Sequence, residues 1–154
     1  MSHVQVGEKV ANFKLHASNG KEVSLNDYKG KKLVIYFYPR DMTPGCTTES
    51  CDFRDFNGQF AENGAEVVGI SPDDLASHDQ FIAEYNLPFL LLSDTEHTVS
   101  EQFGVWKELS WGGKTFLGVE RSTFLIDEEG VLVREWRSVS VEGHANEVLE
   151  AVKA

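Results

Sequence analysis

Apolar runs alternate along the chain with amphipathic segments, which is the pattern of buried strands joined by crossover helices. Residues 33–38, 65–71 and 89–92 are continuously apolar or nearly so, as expected of strands that are covered on both faces. Between them, residues 44–63 and 74–85 carry their large apolar side chains at helical spacing. Parallel strands need such crossovers, so the sequence predicts a βαβαβ unit with residues 33–38 as a central strand.

Hairpins are predicted on both sides of this unit. Residues 13–15 and 23–25 are short apolar stretches joined through an Asn-Gly dipeptide, a strong signal for a tight hairpin turn. Residues 123–127 and 131–136 form a second pair of strand-like runs around a glycine turn. Residues 145–152 then predict a closing helix.

The segment between the last parallel strand and the second hairpin is the least regular part of the pattern. Residues 98–103 predict a short helix, whereas residues 105–119, with Trp106 and Trp111, show no clear period and are expected to be irregular. We find no internal repeat, linker or low-complexity tract. The prediction is therefore one α/β domain over residues 1–154, with a central mixed sheet flanked by helices and an N-terminal β-hairpin.

Composition limits the partners of such a domain. The 154 residues carry a formal net charge of -11, which repels phosphate backbones and anionic lipid, so nucleic acid and membrane surfaces are not expected partners. No segment approaches the ~20 apolar residues of a membrane-spanning helix. The first residues also lack a basic region followed by an apolar stretch. We expect a cytoplasmic protein.

The candidate chemistry lies with the only two cysteines, Cys46 and Cys51. Thr43 is a good helix N-cap and Pro44 is favoured at the first helical position, so Cys46 falls at the third position of the helix. There the free backbone N–H groups and the helix dipole favour the thiolate, which is the nucleophilic form of cysteine. Cys46 is the predicted nucleophile, and an inert core cysteine is the alternative.

The spacing of the two cysteines restricts what they can do together. In one α-helix, residues five apart have Cα atoms roughly 8.6 Å apart, whereas a disulfide needs about 4.4 to 6.8 Å. The pair can bond only if the first helical turn opens, which is typical of a redox switch. A static structural disulfide is the less favoured alternative, and a zinc site is disfavoured because it needs four ligands.

Sequence motifs around Cys46 resemble those of peroxiredoxins. Pro39, Thr43 and Cys46 match the P-x-x-x-[TS]-x-x-C signature, and residues 43–55 and 121–127 are similar to the bacterioferritin comigratory protein, or Q, subfamily. The resemblance spans essentially the whole chain. It implies a thioredoxin-like fold and a thiol peroxidase that reduces hydrogen peroxide and organic hydroperoxides without a haem, metal or flavin cofactor.

The resemblance also implies how the two thiols are used. Cys46 would attack a peroxide oxygen and become a sulfenic acid. Cys51 of the same chain would resolve it as an intramolecular disulfide, which thioredoxin or a similar dithiol donor would reduce. Because the resolving thiol is internal, a dimer is not needed for catalysis, and a monomer is expected.

Further site residues follow from the same family pattern. Thr43 would offer its hydroxyl to the peroxide, and Pro39 would shield the sulfur from water. Arg121 would come beside Cys46, where a permanent cation favours the thiolate and polarises the O–O bond. Glu49 would pair with a nearby arginine.

Two other functions remain open at this point. A dithiol oxidoreductase would carry C-x-x-C at the helix start, which the C-x4-C spacing argues against. A thioredoxin-like redox-sensing or binding module could use the same switch without turnover, although Thr43 and Arg121 would then have no clear purpose. No metal site is predicted, because the histidines are scattered and most are expected to be solvated: His3, His16, His78, His97 and His144.

Overall fold

The secondary structure follows the predicted order closely. The computed structural model describes residues 4–154, and of Trp111 the backbone alone. The strands are β1 (Lys14–Ala17), β2 (Glu22–Ser24), β3 (Lys32–Phe37), β4 (Ala65–Ser71), β5 (Leu90–Ser93), β6 (Trp106–Trp111), β7 (Lys114–Val119), β8 (Ser122–Ile126) and β9 (Leu132–Trp136). The helices are α1 (Pro44–Glu62), α2 (Leu75–Tyr85), α3 (Thr98–Gln102) and α4 (His144–Lys153), with a short 3-10 helix at Leu25–Tyr28.

Seven strands form one mixed sheet in the order β2-β1-β5-β4-β3-β8-β9. Strands β3, β4 and β5 are parallel neighbours, and α1 and α2 supply the crossovers between them. Strand β8 pairs antiparallel with the other side of β3. The predicted βαβαβ unit, the two flanking hairpins and the central position of β3 are therefore confirmed.

The two faces of the sheet pack against different elements. Large side chains of α1, α2 and α4, among them Phe53, Phe60 and Phe81, pack on one face together with Cys46. The other face packs against the N-terminal segment, α3 and the buried base of the β6–β7 pair. The α/β prediction with helices flanking a central mixed sheet is confirmed, and Cys46 lies inside one of its two cores.

The expectation of an irregular segment over residues 105–119 is wrong. Strands β6 and β7 form a separate two-stranded antiparallel sheet. Gly112 and Gly113 connect them with φ angles of +61° and +79°, the left-handed conformation that a two-residue hairpin turn of this hand requires. Phe116 and Leu117 are 50% and 63% exposed. Because much of the hairpin is solvated on both faces, its sequence lacks the alternation that marks a half-buried strand.

Within residues 4–154, no helix has the length and apolar character needed to cross a membrane.

Candidate active site

Helix α1 begins where the sequence predicts. Thr43 occupies the N-cap position with extended backbone angles, and Pro44 follows it at the first helical position. The Thr43 hydroxyl, however, donates to the backbone carbonyl of Arg40 at 2.9 Å and makes no side-chain capping bond. The prediction of Thr43 as the N-cap residue is confirmed, and its side chain takes no part in the cap. Pro39 lies half-buried at the start of this loop.

Cys46 lies at the third position of α1, and its side chain is fully buried. The Nη2 atom of Arg121 donates to Cys46 Sγ at 3.3 Å. Sheet register explains this contact between residues 75 positions apart, because Ser122 pairs with Phe37 at the carboxyl end of β3. Arg121 therefore enters the space beside the first turn of α1 and brings a permanent positive charge to the sulfur.

Glu49 lies one turn after Cys46 and holds Arg121 in place. Its Oε1 accepts a hydrogen bond from Arg121 Nη1 at 2.7 Å, and the glutamate side chain is only 1% exposed. The pKa of Glu49 is raised to about 7, because burial disfavours the charged carboxylate more than Arg121 stabilises it. The guanidinium is thus clamped between a carboxyl and a sulfur that both belong to α1.

Gly45 makes room for this clamp. A Cβ atom at position 45 would lie 3.1 Å from Arg121 Nη2, which is tighter than an ordinary van der Waals contact. The backbone angle of Gly45 is not in the left-handed region, so the requirement is one of space rather than of conformation. The glycine of the motif therefore allows the cation to approach the start of the helix.

Cys51 lies in the same continuous helix and is partly exposed, whereas Cys46 is buried; both are free thiols. The helical geometry used above therefore applies, and the Cα atoms are roughly 8.6 Å apart, beyond the reach of a disulfide. The pKa of Cys51 is raised by burial, with Arg54 opposing this shift and the carboxylates of Asp55 and Asp52 adding to it. Cys51 is thereby kept as a thiol, which reacts poorly with peroxide.

The expectation that most histidines are solvated is wrong for the described residues. His78 is 0% and His144 is 3% exposed, and His97 stacks on Trp106 with ring centroids 3.7 Å apart. Burial lowers the pKa of His144 to about 4, so its ring is neutral at pH 7. Its Nε2 atom shares a hydrogen bond of 2.7 Å with the Thr123 hydroxyl. The same prediction for His3 falls outside the described residues.

One cluster of polar side chains was missed by the sequence reasoning. Asp41, Asp73 and His78 place potential ligand atoms within 4.8 Å of one another. Asp41 and His78 are 37 residues apart in the chain, so no local sequence motif predicts their contact. The cluster lies between the loop that precedes α1 and the start of α2.

Comparisons with known proteins point to one family. The AhpC/TSA family profile matches residues 6–135. Peroxiredoxin Bcp of Bacillus subtilis is 52% identical over 150 residues, covering 97% of this chain and 96% of the relative. Peroxiredoxin Bcp of Xanthomonas campestris is 47% identical over 140 residues, covering 91% of this chain and 88% of the relative.

Solved structures give the same result. A PrxQ mutant from Xylella fastidiosa superposes with a TM-score of 0.93 at 39% identity, covering 99% of this chain and 98% of that one. The Xanthomonas campestris bacterioferritin comigratory protein, studied for alkyl peroxide reduction, superposes with a TM-score of 0.87 at 45% identity and covers 92% of this chain and 90% of that one. These matches confirm the predicted thioredoxin-like fold.

Proposed function

The chain belongs to the AhpC/TSA family of peroxiredoxins and is a thiol peroxidase, and on that premise we propose how its own residues carry out the reaction. Cys46 is the nucleophile. Its thiolate attacks one peroxide oxygen and the O–O bond breaks, giving Cys46 sulfenic acid and, after uptake of a proton, water or an alcohol. The observation that carries this proposal is the contact of 3.3 Å between Arg121 Nη2 and Cys46 Sγ at the start of α1.

Arg121 has two roles in the proposed reaction. Its guanidinium stabilises the thiolate before attack, and its remaining N–H groups stabilise the negative charge that develops on the leaving oxygen. Glu49 fixes the orientation of the guanidinium through the bond of 2.7 Å to Nη1. A preorganised cation of this kind lowers the barrier without rearranging during the reaction.

Thr43 and Pro39 complete the proposed peroxide site. The Thr43 hydroxyl donates to the Arg40 carbonyl, so its oxygen lone pairs remain available to accept a hydrogen bond from the O–H group of the peroxide. Pro39, half-buried in the same loop, shields the sulfur from water. The substrates are hydrogen peroxide and organic hydroperoxides.

Cys51 resolves the sulfenic acid in the second half of the cycle. Its thiol condenses with Cys46 sulfenic acid to form an intramolecular disulfide and water, and a dithiol donor such as thioredoxin reduces that disulfide. The helical separation of the two cysteines supports a step in which the first turn of α1 unwinds. Residues 43–46 are then exposed to the reductant.

Three further points belong to the proposal. A monomer suffices, because both thiols lie on one chain. A cytoplasmic location would supply the reducing partner that the cycle requires. One domain over residues 1–154 is supported by relatives that match the chain over almost its whole length.

Stopped-flow consumption of hydrogen peroxide, with and without a thioredoxin system, tests the proposed function. We expect one rapid turnover without the reductant and sustained turnover with it. A redox-sensing module would be oxidised once but would show no sustained turnover with thioredoxin or with other dithiol donors. A dithiol oxidoreductase would instead reduce a disulfide substrate in the absence of peroxide.

Gly45→Ala is expected to slow the reaction of Cys46 with peroxide by about tenfold, because the added methyl group displaces Arg121 Nη2 from its position beside the sulfur. The rate constant is measured from single-turnover oxidation at several peroxide concentrations. Gly58→Ala is the matched control on the same helix, since a Cβ there meets nothing within 4 Å. Equal rates in the two variants would show that the approach of Arg121 through position 45 does not matter.

A further inference from the structure

A second buried polar cluster ties the loop before α1 to helix α2. The Asp41 carboxyl group is at its centre, in a residue that is 5% exposed. The Tyr38 hydroxyl donates to Oδ1 at 2.5 Å, and the Ser77 hydroxyl donates to Oδ2 at 2.8 Å. His78 Nδ1 lies 2.7 Å from the same Oδ2 atom. Both oxygens of Asp41 are therefore engaged, and the reaction proposed above uses none of these groups.

His78 is held from both sides. Its ring is fully buried, and its Nε2 atom lies 3.1 Å from the backbone carbonyl of Leu92. Both contacts of the ring are to oxygen atoms that accept hydrogen bonds, one from Asp41 and one from Leu92. Removing either side of such a buried contact leaves a polar group without its partner inside the protein.

The backbone of Asp41 is anchored as well. Its N–H donates to Asp73 Oδ2 at 2.8 Å, and the Ser71 hydroxyl donates to that same oxygen at 2.7 Å. Ser71 ends β4, and Asp73 lies in the loop that leads into α2. Side chain and backbone together therefore attach Asp41 to the framework of the sheet.

The residues after Asp41 are held differently. Met42 has a φ angle of +68°, an unusual conformation for a residue with a side chain, and is 43% exposed. The Thr43 hydroxyl bonds to Arg40 within the same loop. A strained residue persists only where its surroundings impose the conformation. The anchored residue Asp41 is therefore followed directly by a strained residue, Met42.

We propose that Asp41, held by His78, is a positioning residue that fixes the peroxide-binding loop in the folded state and confines the unwinding of α1 to the residues after it. This inference rests on the proposed Cys46–Cys51 cycle. With the anchor in place, Thr43 and the first turn of α1 are preorganised for attack on peroxide. Met42 is the hinge, since it releases its strain when that turn opens.

Two rates separate positioning from general stability. Asp41→Asn keeps the size of the side chain but removes the negative charge that His78 faces. We expect its rate constant for oxidation by hydrogen peroxide to fall about tenfold, while the rate of disulfide formation, which does not depend on peroxide concentration, stays the same or rises. Tyr38→Phe removes one hydrogen bond to Asp41. We expect it to change the oxidation rate and the rate of disulfide formation in the same directions as Asp41→Asn, but by smaller factors. Asp79→Asn, on the exposed side of α2 next to His78, is the matched control and should behave like the native protein.

Other outcomes would overturn the proposal. If oxidation and disulfide formation slow by the same factor, or if only the unfolding temperature falls, Asp41 has a structural role alone. Should Asp41→Asn fail to fold, Tyr38→Phe decides by the same criteria. If Cys46 of the native protein does not react with peroxide, the proposed function fails instead. The anchor is then judged by amide hydrogen exchange of residues 42–46, and unchanged exchange in Tyr38→Phe overturns it.

Discussion

Cys46→Ser is expected to abolish peroxide consumption, with a fall in rate of at least about 1,000-fold. Cys46 Sγ is fully buried and accepts a hydrogen bond from Arg121 Nη2, so the cation acts directly on the atom that we propose to react. A serine hydroxyl in the same place ionises far less readily than a thiol and is a poor nucleophile towards peroxide oxygen. Stopped-flow measurement of hydrogen peroxide consumption, with a thioredoxin system present, checks the result.

The control must separate loss of the nucleophile from loss of the fold. Because Cys46 packs against the α1 core, thermal unfolding of the variant is measured alongside activity and should remain cooperative. The variant should also give no mass increase on treatment with peroxide under conditions in which we expect the native protein to form the Cys46–Cys51 disulfide. Retention of most of the native activity would reject Cys46 as the nucleophile.

Local rules were sufficient where neighbouring residues determine the structure. Thr43-Pro44 predicts the start of α1, and the apolar run over residues 33–38 predicts a central strand; both are confirmed. The N-cap rule did not extend to the side chain, since the Thr43 oxygen accepts no backbone N–H of the first turn and its hydroxyl donates to the carbonyl of Arg40. Side-chain partners depend on the loop conformation, which the cap pattern does not determine.

Contacts between distant parts of the chain could be predicted less well from the sequence. Cys46 and Arg121 are brought together by the antiparallel register of β8 on β3, and only the family resemblance indicated that contact beforehand. Asp41 and His78 match no motif, so neither their burial nor their pairing could be expected from composition or spacing. Hydrogen bonding offsets the cost of burying such groups, and that compensation is visible only in three dimensions.

The hairpin of β6 and β7 shows where hydrophobic periodicity fails to predict strands. Its Gly112-Gly113 turn is a hairpin signal, but the flanking residues do not alternate because Phe116 and Leu117 on adjacent positions are both exposed. Periodicity reports which side chains are buried, so a hairpin that buries little gives a weak pattern.

Cys51→Ser is expected to separate the two halves of the catalytic cycle. The sulfur of Cys46, its contact with Arg121 and the start of α1 remain unchanged in this variant, because Cys51 lies more than one turn further along the helix. The first reaction with peroxide should therefore proceed at close to the native rate. Cys46 sulfenic acid then has no thiol on the same chain with which to condense, and turnover with thioredoxin should stop after one equivalent of peroxide.

Mass spectrometry follows the fate of that sulfenic acid. A second peroxide molecule is expected to convert it to sulfinic acid, releasing water or an alcohol and adding a second oxygen atom to Cys46. In the native protein, peptide mapping after one equivalent of peroxide should find a Cys46–Cys51 link within one chain. Normal recycling of the variant would show that a thiol from another molecule resolves the intermediate. A disulfide between two native chains would contradict the intramolecular scheme, and with it the requirement that the first turn of α1 unwinds in each cycle.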